Sequence, residues 1–453
     1  MRYVDSLNLS EIIECFILIE PGKGYLVSAL REKFKNSKII VLHVDKSFED
    51  DSFSQPGISV LHGTGAMSVQ DFLERETPDI DASRIRIIEW RPSQNFYREA
   101  YVKLLSMTVE FIKRTDAGIK TVSAFGRRWI KNFFKNLDNV QQVLLYKSME
   151  MPVIVTGSGP SLENALSVIR QMQENSLIIA SSSSIMALAH GGVSADIIIA
   201  ADGGSWALQH LYPYFRKDSR DTIIAANFCA ALPSQCGIVP RLIINDGSFW
   251  QSIILHELAL PSVIISQKGT VTAAAAELAM LLSGGNIYLA GMDFSVNDIR
   301  THARPYAFDR LIHDNAVRTS PAYSKSFLRS GIIREGGDYG IYAAWFKNKL
   351  ASWPKRIFSL NASNKIFEEA PSVPLPEQAS EFVKKNISGY FKTINVNDHG
   401  AFRKKGAAAL CAAIKDIRYS QKLRAELILM LFPGEHYVTN ENLQEAIRGV
   451  SHG

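Results

Sequence analysis

From Met151 onwards the hydrophobic positions fall into short β-branched runs separated by stretches of helical period. Pro152 to Thr156, Leu177 to Ala180, Asp196 to Ala200, Thr222 to Ala226, Leu242 to Asn245, Val263 to Ser266 and Ile287 to Ala290 each read as a strand. Near-continuous apolar strands with helices between most of them predict a mostly parallel sheet covered on both faces. After the first run, Leu162, Ala165, Leu166, Ile169 and Met172 share one helical face. Gly157-Ser158-Gly159-Pro160-Ser161 is therefore a strand-to-helix loop, with Ser161 placed to cap the helix and backbone N–H groups aimed above the strand end.

The flanking segments carry other patterns. Phe16 to Ile19 reads as a strand, Glu20-Pro21-Gly22-Lys23-Gly24-Tyr25 as a glycine loop, Leu26 to Phe34 as a helix, and Lys38 to Asp45 and Arg84 to Glu89 as further strands. This is the layout of a nucleotide-binding half with Asp45 at the ribose position. One of the usual three glycines is missing, and Lys23 and Tyr25 crowd the loop, so a purely structural half-Rossmann unit is the preferred reading. Tyr101, Leu104, Leu105, Thr108, Phe111 and Ile112 form one helical stripe, and Trp129, Ile130, Phe133, Phe134 and Leu137 another. Beyond residue 360, Ala370-Pro371-Ser372-Val373-Pro374-Leu375-Pro376 reads as a linker. The tail that follows shows amphipathic helices over Phe402 to Ile417 and Tyr419 to Phe432 and no convincing strand. The expected plan is α/β: a small α/β domain over 1–95, a helical bridge over 96–150, a Rossmann-like core over 151–360, then a linker and helical domain over 361–453.

Composition narrows the function classes. The net charge of +5 suits an acidic small-molecule ligand or a mildly basic surface. It does not suit nucleic acid, because no dense Lys/Arg tract interleaved with aromatics occurs. Cys15, Cys229, Cys236 and Cys411 lack metal or redox spacing and read as buried thiols in a reducing compartment. No apolar run reaches the roughly 18 residues of a membrane span. Met1 to Glu14 does not resemble a signal peptide, so a cytoplasmic location is expected.

The polar residues collect at the carboxyl ends of the strands, where open parallel sheets hold ligands. These are Gly157-Ser158-Gly159, Ser181 to Ser184, Asp202-Gly203-Gly204-Ser205, Asn227, Asn245-Asp246-Gly247, Gln267-Lys268-Gly269-Thr270 and Gly291-Met292-Asp293. Turn chemistry supplies Gly, Asn, Asp and Ser at many loops. Their recurrence at nearly every strand end favours a ligand crevice. Asp79-Ile80-Asp81 has the DxD form of metal-dependent sugar transferases but lies far from that crevice in sequence. If the donor leaves as a nucleoside monophosphate, helix N-termini, Lys268 and hydroxyls can stabilise it without a metal.

Gly157 to Leu162 resembles the G-x-GPSL loop of the Maf (motility-associated factor) proteins and of one class of bacterial sialyltransferases. Asp196 to Gly204 is similar to the Maf "PDIVVSIDP" strand, with Ala195 in place of a proline. Lys268-Gly269-Thr270-Val271, Ile287 to Phe294 with its "G-x-D" end, Thr301-His302-Ala303, Gly126 to Leu137 and Ile19 to Tyr25 extend the resemblance over roughly residues 15 to 330. It implies transfer of a nonulosonic acid of pseudaminic or legionaminic type from its CMP-activated form to Ser or Thr of flagellin, with no permanently bound cofactor and no metal. Gly157, Ser158, Gly159, Pro160 and Ser161 would hold CMP, and Asp202, Gly203 and Gly204 would line the donor pocket. Ser182, Ser183, Asn227, Asn245, Lys268, Gly269, Thr270 and Asp293 are candidates by position. Tyr306-Ala307-Phe308-Asp309 resembles a sialyltransferase "YAFD" segment whose tyrosine aids departure of the phosphate. Ser295 stands where that family has a second tyrosine, and its histidine base has no clear counterpart, which leaves His302 and His313 as candidates. Two other readings remain. One is an enzyme resembling 6-hydroxymethylpterin diphosphokinases, which share this core. The other is a non-catalytic flagellin-binding assembly factor with a vestigial nucleotide pocket.

Overall fold

In the computed structural model the β-branched runs form two separate sheets. The structure describes residues 2–7, 9, 13–44, 53–62, 69–77, 82–215, 222–266, 270–334, 339–340, 342–343, 346, 355–360, 387–397, 399–416, 418–435 and 437–452. Two units, Met1–Ala124 and Phe125–Gly453, divide inside the helix Arg98–Asp138.

The first unit holds β1 (Cys15–Ile19), β2 (Lys38–His43), β3 (Ile58–His62) and β4 (Ile85–Ile88). They form an all-parallel sheet in the order β3-β2-β1-β4. Alternation along β1 fills both faces. Cys15, Ile17 and Ile19 pack with Tyr101, Leu104 and Phe111, while Phe16 and Leu18 pack with Leu26, Val27 and Leu30. Gly24, at φ +79°, turns the loop into the helix Tyr25–Lys33. β3 and the helix Val69–Glu76 add to the elements expected here. Asp45, Asp79 and Asp81 lie outside the described residues.

The second unit is built on a ten-stranded sheet. Its strands are β5 (Gln142–Tyr146), β6 (Val153–Thr156), β7 (Leu177–Ser181), β8 (Ile197–Ala200), β9 (Ile223–Asn227), β10 (Arg241–Asn245), β11 (Val263–Ile264), β12 (Ile287–Ala290), β13 (Ile357–Ser359) and β14 (Phe391–Asn395). The order is β13-β12-β6-β7-β8-β9-β10-β5-β14, with β11 paired to β10. All pairings are parallel except β14 against β5. Every run expected in the core is a strand. The expectation of a strand-free tail is corrected by β14, and β5 supplies a strand where only helix was expected. β14 is an edge strand with no buried residue, so it lacks the continuous apolar signature of the inner strands.

The chain winds from β6 through β10 in one direction and then returns to place β12 on the other side of β6. This is the topological switch point, where two strand ends diverge and open a crevice. The expected tail helices are present as Phe402–Ala413 and Ser420–Leu431, and Asn440–His452 joins them. Glu426 from the second of these accepts the Phe249 and Trp250 amides at 2.9 and 3.1 Å, capping the helix Phe249–Glu257.

Candidate functional site

The loop after β6 is locked onto the loop after β12. The register Thr156↔Ala290 brings Gly157 beside Gly291. The Gly157 amide donates to Ala290 O and the Gly159 amide to Gly291 O, both at 2.8 Å. A Cβ on Gly159 would stand 2.6 Å from Asp293 Oδ2 and 2.8 Å from Gly291 O, so only glycine permits this approach. Asp293 accepts the Ser161 amide at 2.7 Å and the Ser161 hydroxyl. Ser161 stands at the N-cap of the helix Leu162–Met172, but its hydroxyl caps no backbone amide. The protein's own carboxylate thus takes the anion-favouring position at this helix start. Burial raises the Asp293 pKa, and the two Ser161 hydrogen bonds offset part of that shift.

The expectation that this loop presents several unpaired N–H groups is therefore corrected. The amides of Gly157, Gly159 and Ser161 are committed, and Pro160 has none. The Ser158 amide has no protein partner among the described residues. Its hydroxyl accepts from Ser183 Oγ at 2.9 Å, and Ser183 lies 3.2 Å from Ser181 Oγ, so a row of hydroxyls runs across the ends of β6 and β7. Ser182 is buried beside them in the turn Ser182–Ser184.

A second layer lies over that loop. The Ala303 amide donates to Ser158 O at 2.8 Å. Glu163 accepts the Arg304 amide at 2.9 Å and Arg300 Nη1 at 3.0 Å. His302 and Tyr306 stack nearly parallel, with centroids 4.1 Å apart and planes 14° apart. Asp309 accepts the Tyr306 amide at 2.9 Å and pairs with Arg304. Burial pushes the Tyr306 hydroxyl up to about 12. Burial also pushes His302 down to about 3, reinforced by the positive charge of Arg329, so its imidazole is neutral near pH 7. His302 Nδ1 lies 2.8 Å from Thr301 Oγ1.

The helix Leu208–Phe215, entered after β8, closes the site with a residue the sequence reading missed. The His210 ring lies 5.4 Å from Tyr306 and 5.2 Å from Phe308, and its Nδ1 is buried without a hydrogen-bond partner among the described residues. Trp206 approaches Phe308 at 6.2 Å. Burial lowers the His210 pKa and the negative charge of Asp202 raises it in part. The sequence signal for His210 is its place shortly after the Asp202-Gly203-Gly204 loop, in the first turn of the helix Leu208–Phe215.

The remaining candidates divide clearly. Asp202 is exposed, and its Oδ1 accepts the Gly204 amide at 2.7 Å. Gly203 is buried where a Cβ would meet Trp129 Nε1 at 2.6 Å, and its carbonyl accepts Asn132 Nδ2 at 3.0 Å. Asn227 is spent on the Cys229 amide and Gln251, Asn245 on the Gly247 amide and Ser252. Thr270 caps the helix Val271–Leu282 by accepting from Thr272 and Ala273. These three shape their loops and have those polar atoms engaged. His313 is exposed on the helix Asp309–Asp314. Lys268 and Gly269 lie outside the described residues. The convergent groups are therefore Ser158, Ser181 and Ser183, Asp202 and His210, and His302 and Tyr306, from the segments that follow β6, β7, β8 and β12, with the charge of Arg329 from the helix Ala322–Arg334 acting on the last two. Among the described residues no cluster of three or more His, Cys, Asp or Glu fits a metal ion, and no helix is long and apolar enough to cross a membrane.

Comparison with known proteins adds three findings. Residues 127–298 match the family model described as 6-hydroxymethylpterin diphosphokinase MptE-like. An uncharacterized protein of Treponema pallidum (strain Nichols) is 27% identical over 264 residues, 56% of this chain and 56% of that protein. The match thus spans about half the length of that curated relative. The solved structure of a Maf glycosyltransferase from Magnetospirillum magneticum AMB-1 aligns with a TM-score of 0.44 and 14% identity, over 97% of this chain and 77% of that chain.

Proposed function

We propose that the protein is a glycosyltransferase that moves a nonulosonic acid, of pseudaminic or legionaminic type, from its CMP-activated donor to Ser or Thr of flagellin, in support of flagellar assembly. The observation that carries the proposal is the stacked His302–Tyr306 pair at the switch point, beside the Ser158 loop whose carbonyl accepts the Ala303 amide, with the positive charge of Arg329 acting on both rings. The donor is anionic at its phosphate and at the sugar carboxylate. A cationic guanidinium, neutral hydroxyls and a free backbone amide are the donors such a ligand requires.

The chemistry follows from the same groups. As the C2–O bond to phosphate breaks, negative charge grows on the departing CMP oxygen. The Tyr306 hydroxyl, kept protonated by its burial, donates a hydrogen bond there. The Ser158 amide and hydroxyl lie one layer below, on the loop bound to Ala303. The leaving group carries one phosphate, and divalent-ion independence is part of the proposal. Incubation of the purified protein with CMP-pseudaminic or CMP-legionaminic acid, unglycosylated flagellin and EDTA tests it. The expected result is release of CMP with a matching gain in flagellin mass. Unchanged flagellin mass with verified donor and acceptor refutes it.

The MptE-like match over 127–298 favours a second reading, diphosphoryl transfer to a pterin. ATP- and magnesium-dependent consumption of 6-hydroxymethylpterin in a parallel assay would support that reading in place of the first.

A further inference from the structure

We propose that His210 is the general base of this site, taking the proton of the acceptor hydroxyl on Nδ1; the inference rests on the glycosyl-transfer reading above. Three histidines were available to accept that proton, and their surroundings separate them. His313 is exposed on a surface helix. His302 has Nδ1 engaged by Thr301 and one ring face covered by Tyr306. His210 presents a buried Nδ1 with no partner among the described residues, on a ring 5.4 Å from that of Tyr306.

The groups facing His210 fit the role. Asp202 stands at the end of β8, and its carboxylate favours the imidazolium that forms when the proton arrives. Tyr306 and Phe308 flank the ring and restrict water. His302 is neutral and adds little repulsion near pH 7. Burial holds His302 so far below the working range that its imidazole is a poor proton acceptor. In the step itself, the acceptor O–H gives its proton to His210 Nδ1 as its oxygen bonds to C2 of the sugar. The C2–O bond to phosphate breaks with its electron pair, which leaves on CMP. The imidazolium then returns its proton to solvent, and no redox partner is needed.

The test compares His210→Gln and His302→Gln with the wild type in the flagellin assay across pH 5–9, with CMP affinity measured by calorimetry. His210→Gln is expected to bind CMP within about twofold of wild type and to lose roughly 10²–10⁴ in kcat. It also loses the acid limb of the pH profile, which imidazole added to His210→Ala partly restores. His302→Gln keeps the acid limb. Transfer by His210→Gln within a few-fold of wild type, or loss of the acid limb in His302→Gln alone, overturns the assignment. Histidine-selective nitrogen NMR of the wild type is a second readout that needs no variant. The His210 Nδ1 resonance should shift when acceptor joins CMP-bound protein, and an unmoved resonance counts against it. If wild type binds CMP but transfers nothing, the function reading has failed and the base assignment falls with it. If wild type transfers while His210→Gln is normal, the base assignment alone has failed.

Discussion

Replacing Asp293 separates the two jobs this carboxylate performs at the switch point. In the wild type it accepts the Ser161 amide at 2.7 Å and the Ser161 hydroxyl. Asp293→Ala leaves a partly buried N–H at a helix start without its acceptor, a loss of roughly 1–3 kcal/mol. The favourable interaction with the helix N-terminus, about 0.3–1 kcal/mol, goes as well. Against this, burial raises the Asp293 pKa, so the charge is held at a cost that alanine removes. The balance is a destabilisation of about 1–3 kcal/mol. At about 2.1 cal/mol/K per residue over a unit of roughly 330 residues, that lowers Tm by about 1.5–4 °C. Asp293→Asn keeps an oxygen for the Ser161 amide and removes the charge, so at pH 7 it loses less than about 1 kcal/mol. The pH dependence has a definite sign. A folded-state pKa above the unfolded value means the folded protein binds the extra proton, so stability is greatest below the ordinary carboxylate pKa and declines as pH rises through the folded one. Wild type should therefore lose stability relative to Asp293→Asn as pH rises above the ordinary carboxylate value of 3.8, in urea unfolding followed by circular dichroism. Wild-type stability for Asp293→Ala, equal damage from both variants at pH 7, or a wild-type gain over that pH range would refute the reasoning.

His302 carries the opposite pH signature: its pKa lies near 3 in the folded protein, against 6.5 for the free side chain. Stability is therefore full above pH 6.5 and falls progressively toward pH 3, and His302→Gln should flatten that decline in acid-unfolding curves. Arg241 is fully buried, and its guanidinium donates to the carbonyls of Asn136 and Asn139 at 3.3 Å, at the end of the helix Arg98–Asp138. Arg241→Ala should cost roughly 1–3 kcal/mol in urea unfolding, with Arg241→Met recovering part through packing. Gly203→Ala puts a methyl group against Trp129 and Cys229 O, which should cost about 1–3 kcal/mol and change the near-ultraviolet tryptophan signal.

The inner sheet was legible because its strands are apolar on both faces: Ile178 and Ile179, or Ile197 to Ile199, have no polar side to disguise them. The edges were not. Phe391 to Asn395 has no buried residue, and Gln142 to Tyr146 follows closely on the long helix Arg98–Asp138, so its apolar residues extend a helical run. The glycine loop is legible between a strand and a helix, but its amides answer to Ala290, Gly291 and Asp293, which only the return of β12 beside β6 brings within reach. Asn227, Asn245 and Thr270 looked like ligand groups because an Asx turn and an N-cap use the same residue types as a binding site. His210 was overlooked because its partners, Tyr306 and Phe308, lie almost a hundred residues away along the chain.

A structure of the full chain with CMP, grown or soaked in EDTA, tests the central claim most directly. The account predicts the phosphate within hydrogen-bond reach of the Ser158 amide and the Tyr306 hydroxyl, above β6 and β12, with Asp293 still bound to Ser161. CMP seated at the ends of β9 and β10, or displacement of Asp293 by the phosphate at the helix start, would contradict it.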